Sequence, residues 1–144
     1  MAEDCCAPGG NVMIPACSGG SKVGQLSNQA AEELTQKGFV KMFCLAEVEG
    51  HLGRFVQSAK DVPEIVAVDG CEIGCAKAIL GHAEVPLKGY LMVTGLGIEK
   101  NKEFGLERED IDRVKDAVKR ACRGAGSFPQ NSATSAGCGC SCCS

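Results

Sequence analysis

Short apolar runs alternate with stretches of helical periodicity along this chain, and that alternation leaves few architectures open to it. Val12-Met13-Ile14 through Cys17 reads as a buried strand. Ser18-Gly19-Gly20-Ser21 then forms a tight loop that ends on a good helix N-cap residue. Val23, Leu26, Ala30 and Leu34 follow at helical spacing, and Gly38 supplies a stop. The unit recurs. Phe39 to Leu45 is a second strand, Leu52 to Lys60 a short helix ended by Pro63, and Glu64 to Val68 a third strand rich in β-branched residues. Asp69-Gly70 turns the chain into a helix expected from about Cys71 to Leu80 and closed by Gly81. Tyr90 to Thr94 is a fourth strand, and Gly95-Leu96-Gly97 leads to a last helix around Glu109 to Cys122. In that helix Ile111, Val114, Ala117, Val118 and Ala121 make the apolar face.

Strands and helices in this order predict an α/β fold: a small three-layer sandwich around a mostly parallel four-stranded sheet, in the order 2-1-3-4. The predicted domain spans residues 11–124. Residues 1–10 read as a flexible N-terminal arm and 125–144 as a flexible cysteine-rich tail, because both lack apolar periodicity. With 44% hydrophobic residues, the 144-residue chain can bury a core without disulfide staples. A net charge of −3 offers no basic footprint, which argues against nucleic acid and anionic membranes as partners. No apolar run is long enough to span a bilayer, and the acidic start Met1-Ala2-Glu3-Asp4 lacks the features of a signal peptide, so the protein is expected in the cytoplasm.

Eleven cysteines are many for a reducing compartment, and the odd number rules out complete pairing within one chain. Metal ligation or thiol chemistry therefore outranks a disulfide scaffold. In an open parallel sheet the loops leaving the carboxyl ends of the strands line the functional edge. Cys17 ends the first strand, Cys44 lies near the end of the second, and Cys71 follows the third with Cys75 four residues on. Four sulfurs are thus expected at one edge, where zinc would take a tetrahedral all-cysteine set. Gly19, Gly20, Ser21, Asp69 and Gly70 shape the loops there, and helix N-termini at the same edge favour thiolates. Lys22 and Lys77 are expected to be solvated, Cys122 to be a core residue, and Asp69 to cap a helix.

The stretches Cys17-Ser-Gly-Gly-Ser-Lys-Val-Gly24, Met42-Phe-Cys-Leu-Ala46 and Val68-Asp-Gly-Cys71 with Cys75 resemble the DGC-domain family, proteins inferred to bind zinc and named for the Asp-Gly-Cys motif, here Asp69-Gly70-Cys71. The resemblance covers roughly residues 11 to 120. It implies Cys17, Cys44, Cys71 and Cys75 as chelating residues and carries no settled biochemical role.

Other motifs fail. A cysteine phosphatase needs an arginine six positions after its cysteine, where Val23 stands after Cys17, and no glycine pattern completes a nucleotide loop. His51 and His82 read as a solvent-exposed loop residue and a helix-end residue. In the tail, Cys138, Cys140, Cys142 and Cys143 form a possible second metal or thiol cluster, which zinc, copper(I) or an iron–sulfur precursor would suit. Cys5 and Cys6 either join it or stand as a separate thiol pair.

Three functions compete. The first is a zinc-binding protein in storage, sensing or delivery, with a metal- or sulfur-transfer protein as the expected partner; four thiolates leave no open position for catalytic water, which argues against an enzyme. The second is a thiol redox or sulfur-transfer protein with Cys17 or Cys71 as nucleophile. A Cys71–Cys75 disulfide would be awkward there if both residues lay in one regular helix. The third is an iron–sulfur protein on the same four ligands.

Overall fold

The fold is built on strands whose side chains alternate between two helical layers. The structure is a computed structural model and describes residues 12–62 and 64–123. Its elements are β1 (Val12–Pro15), α1 (Lys22–Gln36), β2 (Lys41–Phe43), α2 (Leu45–Glu49), α3 (Gly53–Asp61), β3 (Glu64–Asp69), α4 (Cys75–His82), β4 (Gly89–Met92), a 3-10 turn (Val93–Leu96) and α5 (Arg108–Cys122). All strand pairs are parallel, in the order β2-β1-β3-β4. The α/β class, the four-stranded sheet and its order are those expected from the sequence. The expected arm and tail lie outside the described residues, as do Pro63, Cys5, Cys6, Cys138, Cys140, Cys142 and Cys143.

Val12 and Ile14 of β1 and Val66 and Val68 of β3 pack under α1 and α5, while Met13, Ile65 and Ala67 face the layer of α2, α3 and α4. This period of two is what a sheet buried on both faces requires. α1 starts at Ser21, whose hydroxyl accepts from the Gly24 amide at 3.3 Å, and the chain leaves α1 through Gly38 in the left-handed region. At that end the Thr35 hydroxyl donates to Ala31 and accepts from the Met42 amide, tying α1 to β2.

Three elements depart from the sequence expectation. β2 stops at Phe43, and Cys44 becomes the N-cap of α2, a helix the sequence pattern did not announce. A five-residue helix with Val48 as its sole buried residue carries too little periodicity to be read. Thr94 sits in a 3-10 turn instead of the fourth strand. The helix expected from Cys71 starts at Cys75, so Cys71 and Cys75 do not share a helix. Gly74, in the left-handed conformation, is its N-cap, and residues 71–73 form the turn before it.

On the outer face, α1 and α5 are joined by a charge cluster. Glu33 accepts from Lys115 at 2.8 Å and from Arg108 at 2.8 Å, and Lys22 pairs with Asp110 at 3.0 Å. The Lys115 ammonium, followed by the Arg108 guanidinium, holds the Glu33 carboxyl down at about 2, against an ordinary value of 4.5. A carboxyl with a depressed folded value stabilises fully above its unfolded value and loses that share as pH falls through the folded one. Glu33→Gln should therefore cost about 1 kcal/mol at neutral pH. Urea unfolding should show variant and native proteins converging between about pH 4.5 and about pH 2. A constant gap across that range would assign the effect to packing.

Candidate thiol site at the carboxyl edge of the sheet

The carboxyl ends of β1 and β3 are locked together before any cysteine is placed. The Cys17 amide donates to the Val68 carbonyl at 2.8 Å, and the Ser27 hydroxyl of α1 donates to the same carbonyl at 3.0 Å. Three backbone segments then stack. A Cβ on Gly24 would lie 2.7 Å from the Gly19 nitrogen, and one on Gly70 would lie 2.7 Å from the Gly24 nitrogen. Any side chain at either position would push these segments apart. The stack sets the loop after β1 and the turn after β3 against the first turn of α1.

Asp69 organises the other side. One carboxylate oxygen accepts from the Ala76 amide at 2.8 Å; the second accepts from the Lys77 amide at 3.1 Å and the Tyr90 hydroxyl at 3.0 Å. The side chain at the end of β3 thus caps α4 across the intervening turn. Burial, with the neighbouring Asp69 carboxylate, pushes the Tyr90 hydroxyl well up, so it stays a donor.

On this frame Cys17 is buried, Cys71 is half-buried, and Cys44 and Cys75 are exposed. Cys17, Cys44 and Cys75 line one cavity of ≈ 710 Å³, walled by Met42, Phe43, Leu45 and Ile79. Cys71 is not among its lining residues and packs instead against the core beneath α1 and α5. Among the described residues, no three His, Cys, Asp or Glu side chains are grouped closely enough to hold a metal ion as they stand. Burial pushes the Cys17 thiol up, and amide hydrogen bonds from Gly70 and Gly19 partly oppose it. Cys122, at the end of α5, is buried in the core.

The loop between the 3-10 turn and α5 supplies two cations that spacing did not reveal. Lys100 donates to the Cys71 sulfur at 3.3 Å, and Lys102 donates to the Gly20 carbonyl. The loop is held in place by the Lys22 amide, which donates to the Asn101 carbonyl at 2.9 Å. Lys22 and Lys77 are engaged elsewhere: Lys22 pairs with Asp110, and the Lys77 ammonium lies 5.1 Å from the centre of the Tyr90 ring. Gly24 could have been noticed as a glycine in the first turn of a helix that follows a glycine loop. Lys100 and Lys102 lie in an aperiodic stretch and left no signal.

Fold and site together give an α/β protein with cysteines at the carboxyl edge of a parallel sheet, three of them lining one cavity. The family model of the DGC domain matches residues 13–118. The chain belongs to the DGC-domain family. It is 32% identical over 108 residues to the anaerobic and virulence modulator AnvM of Pseudomonas aeruginosa, a match that covers 75% of this chain and 82% of that protein. No solved structure matches. Among the described residues, no helix is long and apolar enough to cross a membrane.

Gly70→Ala should test the stack directly. Crowding the Gly24 backbone should lower the unfolding free energy by about 1–3 kcal/mol, read from the denaturation midpoint. Gly81→Ala, within α4 and with nothing near its Cβ, should not lower it and should raise it by up to about 1 kcal/mol, alanine being the better helix former. Equal effects from both variants would remove the stack as a structural constraint.

Proposed function

We propose that this DGC-domain protein binds one zinc ion through Cys17, Cys44, Cys71 and Cys75 and serves in metal sensing, storage or delivery. The observation that carries the reading is the shared cavity of Cys17, Cys44 and Cys75. The donor set suits the ion: thiolates are soft ligands, and an all-cysteine set is common for structural zinc. Bound zinc would cross-link the ends of β1 and β3 and the starts of α2 and α4. Lys100, already on the Cys71 sulfur, offsets part of the negative charge that four thiolates bring.

Binding on this reading includes a local rearrangement, because the sulfurs are not grouped as they stand. Cys44 and Cys75 are exposed at helix starts, and Cys44, the N-cap of a five-residue helix with no side-chain cap hydrogen bond, has the least to hold it. A site that closes on its ion changes the surface around it, and such coupling suits a sensor. The name of the Pseudomonas relative, a modulator, points the same way. The cysteines Cys138, Cys140, Cys142 and Cys143 would form a second thiol cluster able to pass zinc or copper(I) to the cavity or to a partner protein.

One contact favours a second reading, thiol redox or sulfur transfer at Cys71. The Lys100 ammonium on its sulfur would favour the nucleophilic thiolate. With Cys71 outside α4, the geometric objection to a Cys71–Cys75 disulfide no longer holds.

Elemental analysis of anaerobically purified protein separates the readings. With the four tail cysteines changed to serine, the chain should carry about one zinc. Cys44→Ser on that background should lower the content well below half. Unchanged content would remove Cys44 from the site. Metal-free protein that forms mixed disulfides at Cys71 would favour sulfur chemistry, and iron with acid-labile sulfide would mark an iron–sulfur protein.

A further inference from the structure

The α2–α4 side of the molecule carries ligand-type side chains at both ends. At the upper end are Cys44, the N-cap of α2, and Cys75, the first residue of α4. Along α4, Cys75 and Ile79 line the thiol cavity, and His82 continues their spacing at the last position of the helix. Seven residues of helix place His82 about 10 Å below Cys75. His51, just past the C-cap of α2, meets it there. The two imidazoles lie with ring centres 5.4 Å apart and planes at 80°. Both residues are exposed. His51 has a φ of 52°, a left-handed conformation uncommon outside glycine.

We propose that His51 and His82 form a second metal site, a two-imidazole chelate for borderline divalent cations such as Zn2+ or Ni2+, separate from the thiol cavity. The spacing fits the chemistry. An imidazole nitrogen binds zinc at about 2.0–2.1 Å and lies about 1.1 Å from its ring centre, so two rings on one tetrahedral ion have centres about 5.2 Å apart. The observed 5.4 Å is close to that bite, and rotation of the two exposed rings out of their T-shaped contact would turn a nitrogen of each toward a common ion. Neutral imidazole is the commonest metal ligand among side chains, and solvent would fill the remaining positions of an exposed ion. Two ligands hold an ion more weakly than four, so this site exchanges readily. It would gather ions at the foot of the helices whose upper ends hold Cys44 and Cys75. It does not depend on the zinc reading of the cysteines.

The test uses the full chain with its metal as purified, titrated with Ni2+ and followed through the histidine ring protons by NMR. The two histidines of the sequence, His51 and His82, should shift or broaden together at the same nickel concentration. His51→Gln and His82→Gln should each weaken nickel binding at the remaining ring by at least ~10-fold, the lower end of what losing even an outer-sphere partner costs. Because both rings are exposed, the variants should keep the native denaturation midpoint, which confirms that they fold. Independent responses of the two rings, or one ring binding as well without the other, would overturn the chelate. Zinc content of the thiol site is read separately by elemental analysis, so either claim can fail alone.

Discussion

Close contact between three backbone segments is the constraint on which the rest of the site depends. Gly24 and Gly70 bring the loop after β1, the first turn of α1 and the turn after β3 within a distance that no Cβ at either position would permit. Cys17 precedes this stack, and Cys71 follows it directly. The positions of two of the four cysteines are thus a consequence of missing side chains. The backbone amides of Gly19 and Gly70, brought in by the same stack, partly oppose the rise that burial gives the Cys17 thiol. Packing and electrostatics of the site therefore have one source.

Asp69 carries the order outward from there. Its carboxylate is buried, yet every bond to it is accounted for: two amides of α4 and the Tyr90 hydroxyl of β4. A buried carboxylate is tolerable only with such partners. Through them a single side chain sets where α4 begins and hence where Cys75 stands. Cys44 is held by less. It caps a five-residue helix without a side-chain hydrogen bond of its own to the helix amides. Three of the four cysteines are thus placed by ordered contacts, Cys17 and Cys71 beside the glycine stack and Cys75 through the Asp69 cap, and Cys44 is placed by the fewest.

Much of this was legible in the sequence, for a physical reason. A parallel sheet covered on both faces writes its strands as short apolar runs, and amphipathic α1 and α5 write theirs as regular stripes. The order β2-β1-β3-β4 follows from right-handed crossovers once those units are recognised. The start of α4 was misplaced because its N-cap is a left-handed glycine and its capping carboxylate lies outside the adjacent sequence, at Asp69. Asp69 itself was read as the cap, and what local pattern did not show is that it acts across a turn, seven and eight residues on. Lys100 was missed for a related reason: it meets Cys71 from 29 residues away, through a loop without periodicity. The His51–His82 contact is a tertiary event between two helix ends, and each histidine alone gave no hint of it.

The claim that unites these features is that the ends of β1 and β3 and the starts of α2 and α4 close on one ion through sulfur alone. X-ray absorption at the zinc edge tests it most directly, on anaerobically purified chain with Cys138, Cys140, Cys142 and Cys143 replaced by serine. Four sulfur neighbours at ~2.3 Å and no nitrogen or oxygen shell are expected. A shell dominated by nitrogen or oxygen, or protein that folds fully and holds no zinc, would contradict it.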